Sequence, residues 1–243
     1  MVPNVGLVGQ RVGRWAVAGL VAGVVLGSVA SPGEAQRKAK KPQRPRRETN
    51  ASRQARIDRT IQDTYSHRYE VIGGGGYLRW RSGPYTKKNN EISWDATLDY
   101  YLTPKLAIVG DAQGSFGNAH QRLLPGLAFP QIPNPQINEY FFTGGVSYRF
   151  YAKEKVALSA QGTGGVADGI FSGGAKGLTG PQVGLWNDGF VPAFKISVNA
   201  DYNLFPNLGV RFSPTYVGTT FGSTVQNNLG FNAGVLYRFG RQK

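Results

Sequence analysis

Two histidines, His67 and His120, and no cysteine stand in the 243 residues of this chain. The inventory excludes disulfides, thiolate chemistry and cysteine-ligated metals. His120 sits beside Gln121 and Arg122 with no serine and acid at hand for a triad, and His67 opens an extended segment. No catalytic, cofactor or metal residue is therefore assigned. The run Gly73-Gly74-Gly75-Gly76 has the composition of a phosphate cradle but lacks the Lys-Ser/Thr and the following helix. Close approach of neighbouring backbone is the better use for it. What remains is a set of charges, Glu70, Asp95, Asp99, Asp111 and Asp201 with Arg149, Lys195, Arg211 and Arg238, all on one phase of extended segments. Brought together, they could neutralise one another or line a narrow ion path.

The elements that must position these groups have a period of two. Phe194, Ile196, Val198, Ala200, Tyr202 and Leu204 alternate with Lys195, Ser197, Asn199, Asp201 and Asn203, and every alternate is polar. The same split runs through Ile92 to Leu102, Tyr140 to Phe150, Val156 to Val166 and Leu229 to Phe239. Three further segments alternate less cleanly, one of them carrying the four glycines and another Pro214, which predicts a bulge or a loosened end. The pattern predicts eight strands, at 66–81, 90–103, 105–117, 137–151, 155–168, 191–204, 207–220 and 227–240. Connections after the second, fourth and sixth are tight, whereas 82–89, 118–136, 169–190 and 221–226 are longer. Short turns on one rim and long loops on the other describe an up-and-down outer-membrane barrel with both termini on the periplasmic side.

A soluble eight-stranded calycin shares the period, so the sense of the alternation decides. Here the apolar face ends in Trp94, Tyr100, Tyr140, Tyr148, Phe150, Tyr202, Tyr237 and Phe239, which suits aromatic girdles at two lipid–water interfaces. The opposite face carries ionisable groups that an apolar ligand cavity would not tolerate. The 66–240 region resembles the small OmpA-type eight-stranded outer-membrane barrels. In the last strand, Phe231 and Val235 lead to Tyr237 and Phe239, like that family's assembly signal, although Gly240 to Lys243 follow as a short 241–243 tail and its preceding glycine. The resemblance implies membrane lipid and the outer-membrane assembly machinery as partners. It also brings in the family's lipid-modifying enzymes, whose rim His, Ser and acidic residues have no counterpart arrangement here.

Ahead of the barrel, Arg11 and Arg14 precede an uncharged stretch from Trp15 to Ala30 ending in Ser28-Val29-Ala30. This predicts a signal peptide over 1–30, with an alternative cut after Ala35; an uncleaved anchor would need roughly 20 apolar residues. Residues 31–65 hold 10 bases and 4 acids of a chain whose total is 28 and 14. That basic, proline-containing stretch reads as a disordered periplasmic tether, with a short helix possible over Ala51 to Thr64. Its residues 36–56 could contact an anionic envelope polymer or lipid headgroups; nucleic acid is excluded for an exported chain. The expected function is structural or interactive, in envelope integrity or adhesion, with the interior plugged by salt-bridged polar residues. A narrow channel is the first rival, and a lipid-modifying enzyme and a soluble calycin follow.

Overall fold

The computed structural model describes residues 49–120, 132, 134–222 and 224–242. The signal peptide and residues 36–48 of the basic stretch lie outside them, as does most of the proline-rich loop within 118–136. A helix α1 (Asn50–Tyr65) leads into eight strands: β1 (His67–Arg81), β2 (Lys88–Tyr101), β3 (Leu106–Asn118), β4 (Gln136–Ala152), β5 (Val156–Ile170), β6 (Gly189–Phe205), β7 (Leu208–Thr219) and β8 (Gln226–Arg241). Each strand pairs antiparallel with its sequence neighbours and β8 returns to β1, closing the barrel. Every strand end falls within two residues of its predicted place.

Small residues line the seam that closes the barrel. Along the β1–β8 seam Gly74 lies opposite Gly234, and Gly76 opposite Asn232. A Cβ on Gly74 would sit 2.2 Å from the Ala233 carbonyl oxygen, so the four-glycine run serves close backbone approach. Pro214 produces no bulge. Its pairing with Phe231 holds on the β8 side, while two rungs towards β6 are missing between Ser197–Thr215 and Ala200–Phe212 with the register unchanged. The missing N–H therefore faces β6. The register shifts fall instead at Arg149/Tyr151 in β4 and Asn203/Phe205 in β6, beside the tight turns.

The ends refine the expected bounds. Within the stretch 31–65, the short helix expected over Ala51 to Thr64 is present as α1, one residue longer at each end, with Thr49 capping it by accepting from Ser52 N–H at 3.3 Å and the helix running directly into β1. The barrel also continues one residue past 240, with Arg241 opposite His67.

The faces divide as the alternation required. Ile92, Phe142, Val198, Phe212 and Val235 point outward and stay exposed, while Asp99, Asp201, Arg211 and Arg238 are buried inside. Aromatics ring the outer surface, with Tyr69 stacked on Phe239 at 5.2 Å between ring centres near the periplasmic end and Tyr77 on Phe231 at 5.9 Å near the other. An apolar belt of this extent is unsuited to water and suited to acyl chains. The ionisable strand residues face the interior and the apolar ones the outside, which removes the calycin reading. Val198 is half exposed in the middle of β6. We expect Val198→Arg to cost about 2–4 kcal/mol in a liposome unfolding titration and Asn199→Arg to behave differently, because it faces the bore. An unboiled sample should migrate differently from a boiled one on a detergent gel.

Candidate functional site

The bore is built in three layers. At the periplasmic end, Glu70 on β1 accepts from Arg238 Nε at 2.8 Å, Arg211 Nη2 at 3.1 Å and the Tyr101 hydroxyl at 3.1 Å, and also pairs with Arg149. Arg211 on β7 forks onto Asp201 at 2.6 and 3.0 Å and reaches Asp99 at 2.9 Å. Three carboxylates meet three guanidiniums, all nearly inaccessible. Cross-strand register produces part of this, since Glu70 lies opposite both Asp99 and Arg238, and Asp201 opposite Arg211. Guanidinium suits the task because its planar fork donates to several carboxylates at once.

Helix α1 ends on this layer. The Tyr65 ring lies under the Arg149 guanidinium at 4.7 Å and the Arg238 guanidinium at 5.7 Å. Its hydroxyl donates to the Lys153 carbonyl at 2.8 Å and accepts from Asn203 Nδ2 at 2.9 Å. Burial raises the phenol above its ordinary 10.0, opposed by the Asn203 hydrogen bond and the two guanidiniums.

At mid-height, Asp111 on β3 receives Lys195 Nζ at 2.5 Å, Thr97 Oγ1 at 3.1 Å and Thr143 Oγ1 at 3.2 Å. Asp95 takes Asn232 Nδ2 at 3.3 Å and lies 4.0 Å from Lys195. The space beside this cluster is about 20 Å³, lined among others by Asp95, Asp111, Lys195 and Arg211. A gap of that size holds about one water.

The extracellular third departs from the expectation of a polar core. Trp80 stacks on Phe171 at 5.5 Å, and Phe221 meets both rings edge-on at 5.8 and 5.1 Å. Leu78, Ile137, Phe141, Val183, Leu185 and Val217 fill the rest. Much of this plug comes from the 171–188 loop, which folds into the mouth. Asp188 holds its base by accepting from Phe171 N–H at 2.7 Å and Ser172 N–H at 3.1 Å, and Trp186 N–H donates to the Ser82 carbonyl at 2.9 Å.

The structure thus gathers Glu70, Asp99, Asp201, Arg149, Arg211 and Arg238 into one network, and Asp95, Asp111 and Lys195 into a second. Phe231, Val235, Tyr237 and Phe239 lie in a row on the lipid side of β8. His67 and His120 lie at opposite rims; their Nδ1 atoms contact the Thr64 carbonyl at 3.1 Å and Asn134 Oδ1 at 2.9 Å respectively. Sequence reasoning missed Glu91 on β2 and gave no role to Glu139 on β4, both buried in the upper bore. Glu91 falls inside the predicted strand on the inward phase of Ser93 and Asp95, but it precedes the apolar alternation that begins at Ile92 and so is not singled out by that pattern.

No protein-family model matches the chain, and no curated protein matches it. Among solved structures, the outer membrane protein OprG of Pseudomonas aeruginosa aligns at 12% identity over 72% of this chain and 98% of its own, with a TM-score of 0.51. Neisserial surface protein A aligns at 15% identity over 70% and 97%, TM-score 0.47. The attachment invasion locus protein Ail of Yersinia pestis, solved with the heparin analogue sucrose octasulfate, aligns at 13% identity over 70% and 97%, TM-score 0.41. The likeness is one of fold: the closed eight-stranded antiparallel barrel is shared with OprG.

Two outcomes follow from the periplasmic layer. Removing one partner of a buried charge network leaves the others uncompensated, so Arg211→Ala should cost about 3–5 kcal/mol in denaturant unfolding. Tyr65→Phe should cost about 1–3 kcal/mol through the two lost hydrogen bonds. A phenol whose folded value is raised stabilises below its unfolded value and loses that contribution as pH climbs through the folded one. The docking of α1, followed by protease cleavage near Arg59, should therefore hold at neutral pH and weaken only above about pH 10; Tyr65→Phe should lack that alkaline step.

Proposed function

We propose that this chain is an integral protein of the bacterial outer membrane whose barrel is closed to solutes and whose role is structural or interactive, in envelope integrity or adhesion through its loops. The observation that carries the reading is the continuity of the fill: ion-paired layer, one-water gap, aromatic plug. An eight-stranded barrel is just wide enough to be filled by its own side chains. A solute path would require the plug and both charge layers to part together. Neither histidine has partners for proton transfer to a bound lipid, which argues against a lipid-modifying enzyme.

The loops offer a surface for contact. A cleft of about 250 Å³ on the extracellular rim is lined by Arg81, Lys88, Trp186, Gln226, Asn227 and Asn228 among others. Two cations, an indole and three amides suit an anionic or hydroxyl-rich polymer. On the periplasmic side, exposed Arg53, Arg56 and Arg59 of α1 carry the basic character of residues 36–56 up to the membrane surface, where headgroups or an anionic envelope polymer would meet them. The row Phe231, Val235, Tyr237 and Phe239 is the strand we assign to recognition by the assembly machinery.

Planar-bilayer recording tests the closed barrel. Purified protein should give no stable single-channel steps. Steps that Asp95→Ala or Arg211→Ala abolish would overturn the reading in favour of a narrow channel. Sucrose-gradient fractionation should place the protein with the outer membrane.

A further inference from the structure

Interior charge does not balance. Among the described residues the buried acids are Glu70, Glu91, Asp95, Asp99, Asp111, Glu139 and Asp201, seven against the four bases Arg149, Lys195, Arg211 and Arg238. The periplasmic layer is neutral by itself, and Lys195 is committed to Asp111 and Asp95. The deficit is therefore concentrated at Glu91 and Glu139, two carboxyls beneath the aromatic plug.

Both are at most 1% exposed, and none of their four carboxylate oxygens accepts a well-formed hydrogen bond from the protein, the Asn89 side chain being the polar group that interacts with Glu91. The neighbouring Asn89 amide is directed to Ser82 Oγ at 3.1 Å. Glu91 and Glu139 flank the inner face of β3, Glu139 lying opposite Ser115, and they are within Coulombic reach of each other. Between them β3 carries Gly117, where a Cβ would come 2.7 Å from Glu91 Cγ. Glycine leaves the room in which the Glu91 side chain lies over β3. On the same face the Gln113 side-chain oxygen, Oε1, is also buried without a partner, while its Nε2 reaches Ser115 Oγ at 3.4 Å. Leu78 lies opposite Glu91, and Phe141, two places along β4 from Glu139 on the same face, lies opposite Ala167. Two unpaired carboxylates in such surroundings are prohibitively costly.

We propose that Glu91 and Glu139, with Gln113 Oε1, form a buried site for one hard divalent cation of the calcium class. The donor set is all oxygen, and its two negative charges match the ion. Calcium takes about six to eight oxygens at roughly 2.3–2.6 Å in flexible geometry; the four carboxylate oxygens and the amide oxygen supply most of these, with Ser115 Oγ adjacent. A site sealed by the aromatic plug is loaded as the barrel closes, so the ion acts as a structural rivet between β2, β3 and β4. This is independent of what the loops bind.

The test uses the full chain refolded into detergent with Ca²⁺ or with EGTA, as wild type, Glu91→Gln, Glu139→Gln and the double variant. Metal analysis of wild type folded with Ca²⁺ should find one ion per barrel after gel filtration. Refolding with Tb³⁺ alone should give luminescence excited through tryptophan, suppressed by excess Ca²⁺ and falling about tenfold or more in each Gln variant. The urea midpoint of wild type should be higher when folded with Ca²⁺ than with EGTA, and that of the double variant should not respond. In EGTA the double variant, relieved of repulsion, should be the more stable. Metal-free wild type whose midpoint ignores Ca²⁺ would overturn the proposal in favour of two protonated carboxyls. Terbium luminescence retained in the double variant would overturn it by placing the ion elsewhere. Metal content of the wild type decides the matter even where a variant fails to refold.

Discussion

In hydrocarbon there is no water to take up an unpaired peptide group, and this constraint governs the whole molecule. A sheet with edges cannot satisfy it, so β8 must find β1, as it does from His67–Arg241 to Arg79–Leu229. Small residues line that seam: a Cβ on Gly74, Gly76 or Gly234 would meet backbone of the opposite strand, as it would on Gly145 and Gly165 between β4 and β5. Closure also explains how Pro214 is tolerated. The proline keeps its β8 partner and gives up only rungs towards β6, beside strands pinned on both sides of the gap. Once the ladder is closed, alternation decides the rest, because every second side chain must suit lipid and every other one must suit a bore too narrow for bulk water.

The bore must therefore supply its own solvent. Near the periplasm it does so with charge, where desolvation is offset because Arg211 serves Glu70, Asp99 and Asp201 while Glu70 receives Arg149, Arg211 and Arg238. Such a network contributes less to net stability than to uniqueness, since a one-residue slip of any contributing strand would put a charge in lipid. At mid-height threonines and one lysine serve a single aspartate, a cheaper solution with short, stiff side chains. Towards the outside the bore turns apolar and the solution is dry packing. Glu91 and Glu139 stand at the boundary between the last two, with the charge of the first kind and the surroundings of the third.

The sequence made the strands and their facing legible because lipid imposes strict alternation, and the phase of Phe194 to Leu204 alone identifies Lys195 and Asp201 as inward. Height along the bore was harder to read. Lys195 meets Asp111 from β6 to β3 across the lumen, a partnership set by barrel stagger that no local pattern encodes. Glu139 was visibly inward, but its isolation depends on Leu78 and Phe141 lying at the same level. The aromatic plug was invisible for a different reason: Phe171 and Phe221 come from loop segments, and period-two reasoning says nothing of how a loop folds back. Helix α1 was only half legible, because charge density in the preceding stretch argued for disorder while the Thr49 cap and the burial of Tyr65 decide locally for order.

The loop that fills the mouth is also what makes the outer surface usable. A loop of the 171–188 kind left in solvent would have to be ordered by whatever it bound, at a cost that falls on affinity. Here Val183 and Leu185 are buried in the barrel and the loop base is held by Asp188. Trp186 is fixed over the rim, its indole N–H donating to the Arg81 carbonyl at 3.1 Å, while Lys88 Nζ donates to the Asn227 carbonyl at 2.8 Å. The groups lining the rim cleft are thus ordered before any partner arrives, by the same packing that closes the bore. Closure and surface contact are then one device: a barrel that conducted through its mouth would have to release this loop, and with it the preorganised face that the loop presents.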